Sequence, residues 1–243
     1  GKSFSGMVVN WPKTLENFTE KKFNDRILGK KIIDVTRRAK YIVIHFEKAL
    51  MAVHLRMTGK LYAVNELDPN KKHISLYLKF DGKYLIYEDT RKFGRFYVYN
   101  NMEFLDSKLG VEPLESKFTK DWIVTNMKKK KRMIKALLFD QSFICGLGNI
   151  YIDEALWRAR IHPLSISNKI PVKKLHNLHT AIIKVLSDSI KLGGSTIRDY
   201  TYNYKYVGNY ALNLKVFGKN GENCHRCQTI IIKRKISQRG THY

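Results

Sequence analysis

Near Leu109-Gly110-Val111-Glu112-Pro113 the spacing of apolar residues changes character, and that change limits the chain to a fold built in two styles. Upstream the pattern is short and alternating. Residues 31–35, 41–46, 50–55, 73–80, 84–87 and 94–98 are rich in Ile, Val, Tyr and Leu, which suits strands with a buried face. Thr58-Gly59, Asp68-Pro69-Asn70 and Asp81-Gly82 punctuate them, and Asp-Gly is a strong hairpin signal. Residues 17–28 read as a short helix packed across these strands. Downstream the spacing lengthens to that of helices. Ile134, Leu137 and Leu138 share one helical face, and Tyr151, Ala155, Leu156 and Ala159 share another. The longest helix is expected over 172–192, with Pro171 near its start and Gly193-Gly194 as its stop. Strand-like spacing returns at 214–217 and 230–235, around a turn at 218–221 and a cysteine pair. The expected class is α+β: an antiparallel β-sandwich over 1–108, a helical domain over 109–213 and a short β-ribbon over 214–243.

Charge narrows the choice of partner. The chain carries 45 Lys+Arg against 21 Asp+Glu, a net of +24, and a globular protein this basic usually meets a polyanion. Aromatics reach 12%, with 14 Tyr, which favours nucleic acid over a lipid surface. Hydrophobic residues make up 44%, enough for real cores and against wholesale disorder. No apolar run approaches the roughly 20 residues that a membrane helix needs, and the opening Gly1-Lys2-Ser3-Phe4 has no secretory pattern. Cys145, Cys224 and Cys227 are an odd set with one close pair, which argues for a reducing compartment rather than a disulfide framework.

Three segments carry chemistry. Gly146-Leu147-Gly148-Asn149-Ile150-Tyr151, set between Asp140-Gln141 and Asp153-Glu154, is a glycine turn opening a helix. Glycines let backbone approach a ligand, and a helix start offers free N–H groups and a positive dipole end, which together hold a phosphate. The same turn, alone, would also serve as a plain helix–helix connection. Lys128-Lys129-Lys130-Lys131-Arg132 is either a solvated face or the lining of an anionic groove. Cys224-His225-Arg226-Cys227 has zinc-ligand spacing, but a structural zinc needs four ligands and the only other cysteine is the distant Cys145.

The glycine-turn string resembles the helix–two-turn–helix of the formamidopyrimidine-DNA glycosylase and endonuclease VIII family, and the resemblance runs end to end. Arg37-Arg38-Ala39-Lys40-Tyr41, His54-Leu55-Arg56-Met57-Thr58-Gly59, Lys72-His73, Asp89-Thr90-Arg91-Lys92-Phe93-Gly94, Gly193-Gly194-Ser195-Thr196-Ile197-Arg198-Asp199-Tyr200 and Gln238-Arg239-Gly240-Thr241-His242 match the family in order. The resemblance implies a base-excision repair enzyme that removes oxidised purines, such as 8-oxoguanine and formamidopyrimidines, from double-stranded DNA and nicks the abasic site. It implies DNA between the sandwich and the helical module, a monomer, a cytoplasmic bacterial setting at the nucleoid, and no soluble organic cofactor. Two rivals stand beside it. An endonuclease VIII type would act on oxidised pyrimidines, and the Arg91-Lys92-Phe93 and Arg198-Asp199-Tyr200 strings weigh against it. A non-catalytic nucleic-acid binder is the other, since ribosomal proteins also use helix–two-turn–helix elements.

Carried over residue by residue, the resemblance implies Met57, Arg91 and Phe93 as the side chains that replace an evicted nucleotide. Their chemistry suits that role, since Met is slim and adaptable, Phe stacks on a base, and Arg can hydrogen-bond the orphaned partner base. His73, Arg91, Lys131 and Asn149 are implied phosphate contacts, with Ile150 beside Asn149 and Lys135 as a lesser candidate. Lys40 is implied near the anomeric carbon, as a proton relay or nucleophile. Ser195, through its backbone, and Tyr200 fall in the implied lesion pocket, whose capping loop at about 201–210 departs from the commonest family wording. Arg239 matches the family's finger arginine, which reaches the lesion's phosphate and assists the second elimination. Cys224 and Cys227 match two of four ligands to one structural zinc, and the second pair would begin just past Tyr243. The family's nucleophile is the amine of an N-terminal proline, followed by a glutamate acid. Here Gly1 aligns beyond that first helix, and Pro12 is internal and cannot attack. The expectation is a chain that binds DNA poorly and lacks normal glycosylase activity, with Lys40 as a source of weak lyase activity, whereas the intact parent would have both functions.

Overall fold

Alternating segments become strands because every second side chain can be buried against a common core. The computed structural model describes residues 3–195 and 208–243. The first unit, residues 3–107, contains β1 (Phe4–Val9), α1 (Glu20–Ile27), β2 (Ile32–Arg38), β3 (Tyr41–Phe46), β4 (Ala49–His54), β5 (Gly59–Val64), β6 (Ile74–Phe80), β7 (Lys83–Asp89) and β8 (Arg95–Tyr99). Two antiparallel sheets result, ordered β1-β6-β7-β5 and β2-β3-β4-β8. Phe4, Met7, Leu76, Leu78 and Tyr87 of the first sheet share one buried cluster with Ile44, Phe46, Met51, Val53 and Phe96 of the second, which makes the unit a β-sandwich. Each such side chain contributes roughly 1.5–3 kcal/mol by leaving water. Helix α1 adds Phe23 and Ile27 to that cluster, and its start is capped by Thr19, whose hydroxyl accepts from the Lys22 N–H at 3.2 Å.

Pairing explains where the sandwich turns from one sheet to the other. Strand β4 pairs with β8, and β5 pairs with β7. The corner from β4 to β5 and the corner from β7 to β8 must therefore run side by side. The registers meet there: His54 faces Arg95, and Gly59 faces Asp89.

The chain leaves the sandwich through α2 (Glu103–Lys108) and enters a second unit, residues 108–195 with 208–243. It holds α3 (Lys120–Lys128), α4 (Ile134–Phe139), α5 (Asn149–Ala159), α6 (Val172–Lys191) and a hairpin of β9 (Lys233–Ile236) and β10 (Arg239–His242). Leu175, Leu178, Ile182 and Val185 of α6 pack with Ile152, Ala155 and Leu156 of α5 in one buried cluster. The expected strand at 214–217 does not form. The N–H groups of Lys215, Val216 and Phe217 instead donate to the carboxylate of Glu154, at 2.9–3.0 Å, so no ladder is needed to satisfy them. Among the described residues, no helix is long and apolar enough to cross a membrane.

Candidate nucleic-acid interface

In the first unit one carboxylate braces both corners. Buried Asp89 accepts from the Thr58 hydroxyl at 2.5 Å and the Arg91 N–H at 3.2 Å through Oδ1. Its Oδ2 accepts from the Tyr87 hydroxyl at 3.0 Å and the Gly94 N–H at 2.8 Å. Its own N–H donates to the His73 carbonyl at 3.0 Å. Burial by itself disfavours the charged form, but these donors outweigh it and hold the Asp89 carboxyl below the usual carboxylate range. Only glycines fit around this network: a Cβ on Gly94 would lie 1.5 Å from the Tyr87 Oη, and one on Gly59 would lie 2.4 Å from it. On the braced corners, Met57 is 63% exposed and Phe93 48% exposed. The guanidinium of exposed Arg91 sits 4.8 Å above the Phe93 ring. Such a trio, with apolar ends held out by a rigid frame, can enter a base stack without first paying to order its backbone.

Lys40 follows Ala39, whose φ of +52° makes the tight β2–β3 turn. The Arg37 guanidinium ties that turn by donating to the Ala39 carbonyl at 2.9 Å. Across the sheet, Tyr41 faces His54, the rings edge-on with centroids 4.9 Å apart. Burial, together with the charges of Arg56 and Lys40, pushes the His54 imidazole down to about 4, so that ring is neutral near pH 7. His73 is exposed in the turn before β6, with φ +67°, and its carbonyl is the one held by Asp89.

In the second unit the glycine turn has its own brace. Gln141 accepts from the Gly146 N–H at 3.0 Å and donates to the carbonyls of Phe139 and Leu147 at 3.1 Å. Gly146 needs its φ of +82°. Gly148 is the N-cap of α5 and supplies no side-chain acceptor, and the Ile152 N–H makes an intrahelical bond back to the Gly148 carbonyl. The N–H groups of the first turn are thus available to an anion. Asn149 opens the helix. Its Nδ2 donates to the Gly240 carbonyl at 2.8 Å, which leaves the second amide hydrogen for another acceptor, and its Oδ1 is buried without a partner. Ile150 is half-buried against the helical core. Lys131 is exposed between α3 and α4. Lys135 corrects an expectation: it is buried, and its ammonium is ion-paired with buried Asp153, so it has no face to offer a phosphate. Burial pushes the Lys135 amine down and the Asp153 carboxyl up, against their mutual attraction.

Arg239 begins β10 directly after Ser237 and Gln238, whose φ values of +49° and +61° form a two-residue hairpin turn. It is exposed, with its guanidinium 4.8 Å over the Phe139 ring. The Ser195 hydroxyl is 3.0 Å from the Tyr151 hydroxyl, and Ser195 bridges to Asn209. Tyr200, and the capping segment up to 207, lie outside the described residues. Cys224 is buried and accepts from the Trp157 indole N–H at 3.3 Å, which favours the thiolate and brings it down to about 7. Cys227 is exposed. A thiolate pair suits zinc, but among the described residues no three His, Cys, Asp or Glu side chains gather into a metal site. The residues present therefore fit half of a zinc centre.

Asp89, Tyr87 and Gln141 are the structural supports that sequence reading left without a role. A signal existed for Asp89: an acidic residue ends an alternating strand and is followed by a turn, where carboxylates collect backbone N–H groups. The first unit thus presents cations and an exposed ring, and the second presents cations and uncapped N–H groups, all suited to a nucleic-acid backbone and its bases. Comparison agrees with that class. A family model for the formamidopyrimidine-DNA glycosylase N-terminal domain matches residues 1–96, and one for the formamidopyrimidine-DNA glycosylase H2TH domain matches 109–201. The chain belongs to the formamidopyrimidine-DNA glycosylase family. The formamidopyrimidine-DNA glycosylase of Lactobacillus helveticus is 41% identical over 249 residues, spanning 100% of this chain and 90% of the relative. That of Bacillus licheniformis is 38% identical over 250 residues, with the same coverage. Among solved structures, the Lactococcus lactis Fpg bound to abasic-site DNA superposes with a TM-score of 0.92 at 35% identity, covering 100% of this chain and 91% of the other. A MutM complex with DNA containing carbocyclic 8-oxo-G gives the same values.

Proposed function

We propose that this chain belongs to a base-excision repair glycosylase that removes oxidised purines from duplex DNA and cleaves the resulting abasic site. The observation that carries this reading is the Asp89-braced pair of corners presenting Met57, Arg91 and Phe93. Relatives have been solved with DNA containing Fapy-dG, 8-oxo-G and an abasic site, which supports purine lesions as the substrate class. Eviction of a nucleotide leaves a gap in the stack. Met57 and Phe93 fill it, and Arg91 bonds the unpaired base opposite. His73, Lys131 and Asn149 bond phosphates, joined by the N–H of Ile150, and these contacts fix register without reading sequence. Ser195 meets the evicted base through its backbone. Lys40, beside a neutral His54, is the cation near the sugar and can move a proton there. Arg239 reaches the phosphate of the damaged nucleotide. Cys224 and Cys227 supply two thiolates to a zinc ion that would stiffen the ribbon.

The test uses the complete gene product and duplexes carrying 8-oxoguanine, a formamidopyrimidine or thymine glycol, with borohydride trapping of any covalent intermediate. Excision and trapping on the two purine lesions are expected. Preference for thymine glycol would refute the purine assignment, and lesion-independent binding with no trapped adduct would refute the enzyme reading altogether.

A further inference from the structure

Helix α5 does more than present Asn149. Four of its residues grip the chain that follows. Asn149 Nδ2 donates to the Gly240 carbonyl at 2.8 Å, and the His242 N–H donates to Asp153 Oδ2 at 3.0 Å. Glu154 holds the N–H groups of residues 215–217, and the Trp157 carbonyl accepts from Arg226 at 2.8 Å. The first two bonds have a particular geometry. Asn149 and Asp153 are one turn apart, a rise of about 6 Å along a helix. Gly240 and His242 are two residues apart, about 6.8 Å along a strand. The two spacings nearly coincide, so helix and strand are pinned at both points without bending either.

Arg239 stands one residue before the first pin. On its other side is the tight turn at Ser237 and Gln238. Its main chain is therefore fixed from both directions, and its guanidinium lies over Phe139, the last residue of α4. Lys135 lies against the Asp153 carboxylate as its counter-charge, so that the pin and its partner can both stay buried. The burial of a lysine in an otherwise exposed basic stretch thus has a purpose outside DNA contact.

We infer that Asp153, together with Asn149, is a positioning residue for Arg239: the two side chains lock β10 against α5 so that the finger guanidinium is delivered to the phosphate. This rests on the reading of Arg239 as a phosphate contact. Asp153 touches neither DNA nor the reacting sugar. It acts through the hairpin.

The experiment is a cycle of substitutions in the full chain, read by anisotropy on a duplex with a stable abasic-site analogue over a range of salt. Lys135→Met with Asp153→Asn removes both charges but keeps an acceptor for the His242 N–H. Lys135→Met with Asp153→Leu removes the charges and the acceptor. In the parent, Arg239→Ala is expected to weaken binding about tenfold or more and to lower the salt slope by about 0.9. In the Leu form the same change is expected to cost less than about twofold and to leave the slope alone, because Arg239 is already out of place. The Asn form is expected to behave as the parent. An equal cost of Arg239→Ala in the Leu form and the parent overturns the proposal. No cost in the parent refutes the phosphate reading and the proposal with it, an outcome distinct from an additive cycle. If the Leu form does not fold, Lys135→Met with Asp153→Ala repeats the cycle with a smaller side chain. Exchange of the His242 amide gives an independent check: it must quicken in the Leu or Ala form and not in the Asn form, and equal protection overturns the clamp.

Discussion

Substituting Asp89 by Asn changes one heavy atom and tests the frame on which the corner residues stand. In the parent, Oδ1 receives Thr58 and Arg91, and Oδ2 receives Tyr87 and Gly94. An amide has one acceptor oxygen. Whichever way it is turned, its NH2 group faces one hydroxyl, which can turn round and accept from it, and one backbone N–H, whose bond is lost. A hydrogen bond to a charged group contributes about 1.5–3 kcal/mol, so the first unit should lose about 1.5–3 kcal/mol. Urea unfolding can report this through Trp11 in a W122F/W157F background, which leaves that unit with the chain's one remaining tryptophan. With a slope of roughly 2 kcal/mol per molar urea, the midpoint should fall by about 0.7–1.5 M. Acid provides the second reading. The folded carboxyl titrates below its unfolded value, so its contribution is complete above about pH 4 and is withdrawn as pH falls through the folded value. The gap between parent and variant should be widest near neutral pH and should close on acidification, because a protonated Asp89 resembles Asn. A loss under about 1 kcal/mol, or a gap that persists unchanged in acid, would refute the idea that this carboxylate holds the corners.

Other outcomes follow from the same geometry. Asn149→Ala should weaken binding to an abasic-site duplex and leave the salt slope nearly as it was, because a neutral amide displaces no counterion; unchanged affinity would count against its phosphate role. Met57→Ala should spare binding to undamaged duplex while reducing lesion excision by the complete enzyme; equal losses on both would remove the wedge assignment. Gly94→Ala forces a methyl into the Tyr87 hydroxyl and should cost about 3 kcal/mol or more by urea unfolding, with partial relief from Tyr87→Phe. Cys227→Ser should abolish stoichiometric zinc in the dialysed full-length protein, measured by atomic emission, and retention of a full equivalent would exclude Cys227 as a ligand.

Much of the architecture was legible where local pattern and tertiary burial agreed. The alternating Tyr41–Phe46 segment and the long amphipathic α6 are such places. Strands β1 and β5 were not read. Gly6 interrupts β1 and sits at a register shift against β6, and β5 opens at a glycine whose role is to clear Tyr87. Residues 214–217 misled for a different reason. Buried Leu214 and Val216 give a strand-like alternation, but the partner of their backbone is the Glu154 side chain, distant in sequence. Lys135 misled likewise: nothing local distinguishes it from the exposed lysines before it, and only Asp153, a helix away, makes its burial tolerable. The exposed candidates Met57, Phe93 and Arg91 could be named from their strings, whereas the buried groups that aim them became visible only through contacts between remote segments.

The shared aspartate has a consequence for anyone engineering this scaffold. Residues 55–59 and 89–94 cannot be exchanged separately, because each stretch supplies donors, or the space, that the other requires. A transplanted corner without a hydroxyl at position 58, or with a side chain at 59 or 94, would leave Asp89 short of donors or Tyr87 short of room, and the graft would be judged defective for reasons unrelated to DNA. Chimeras that move both stretches together, with Tyr87, keep the joint whole and let new tip residues be compared on equal terms.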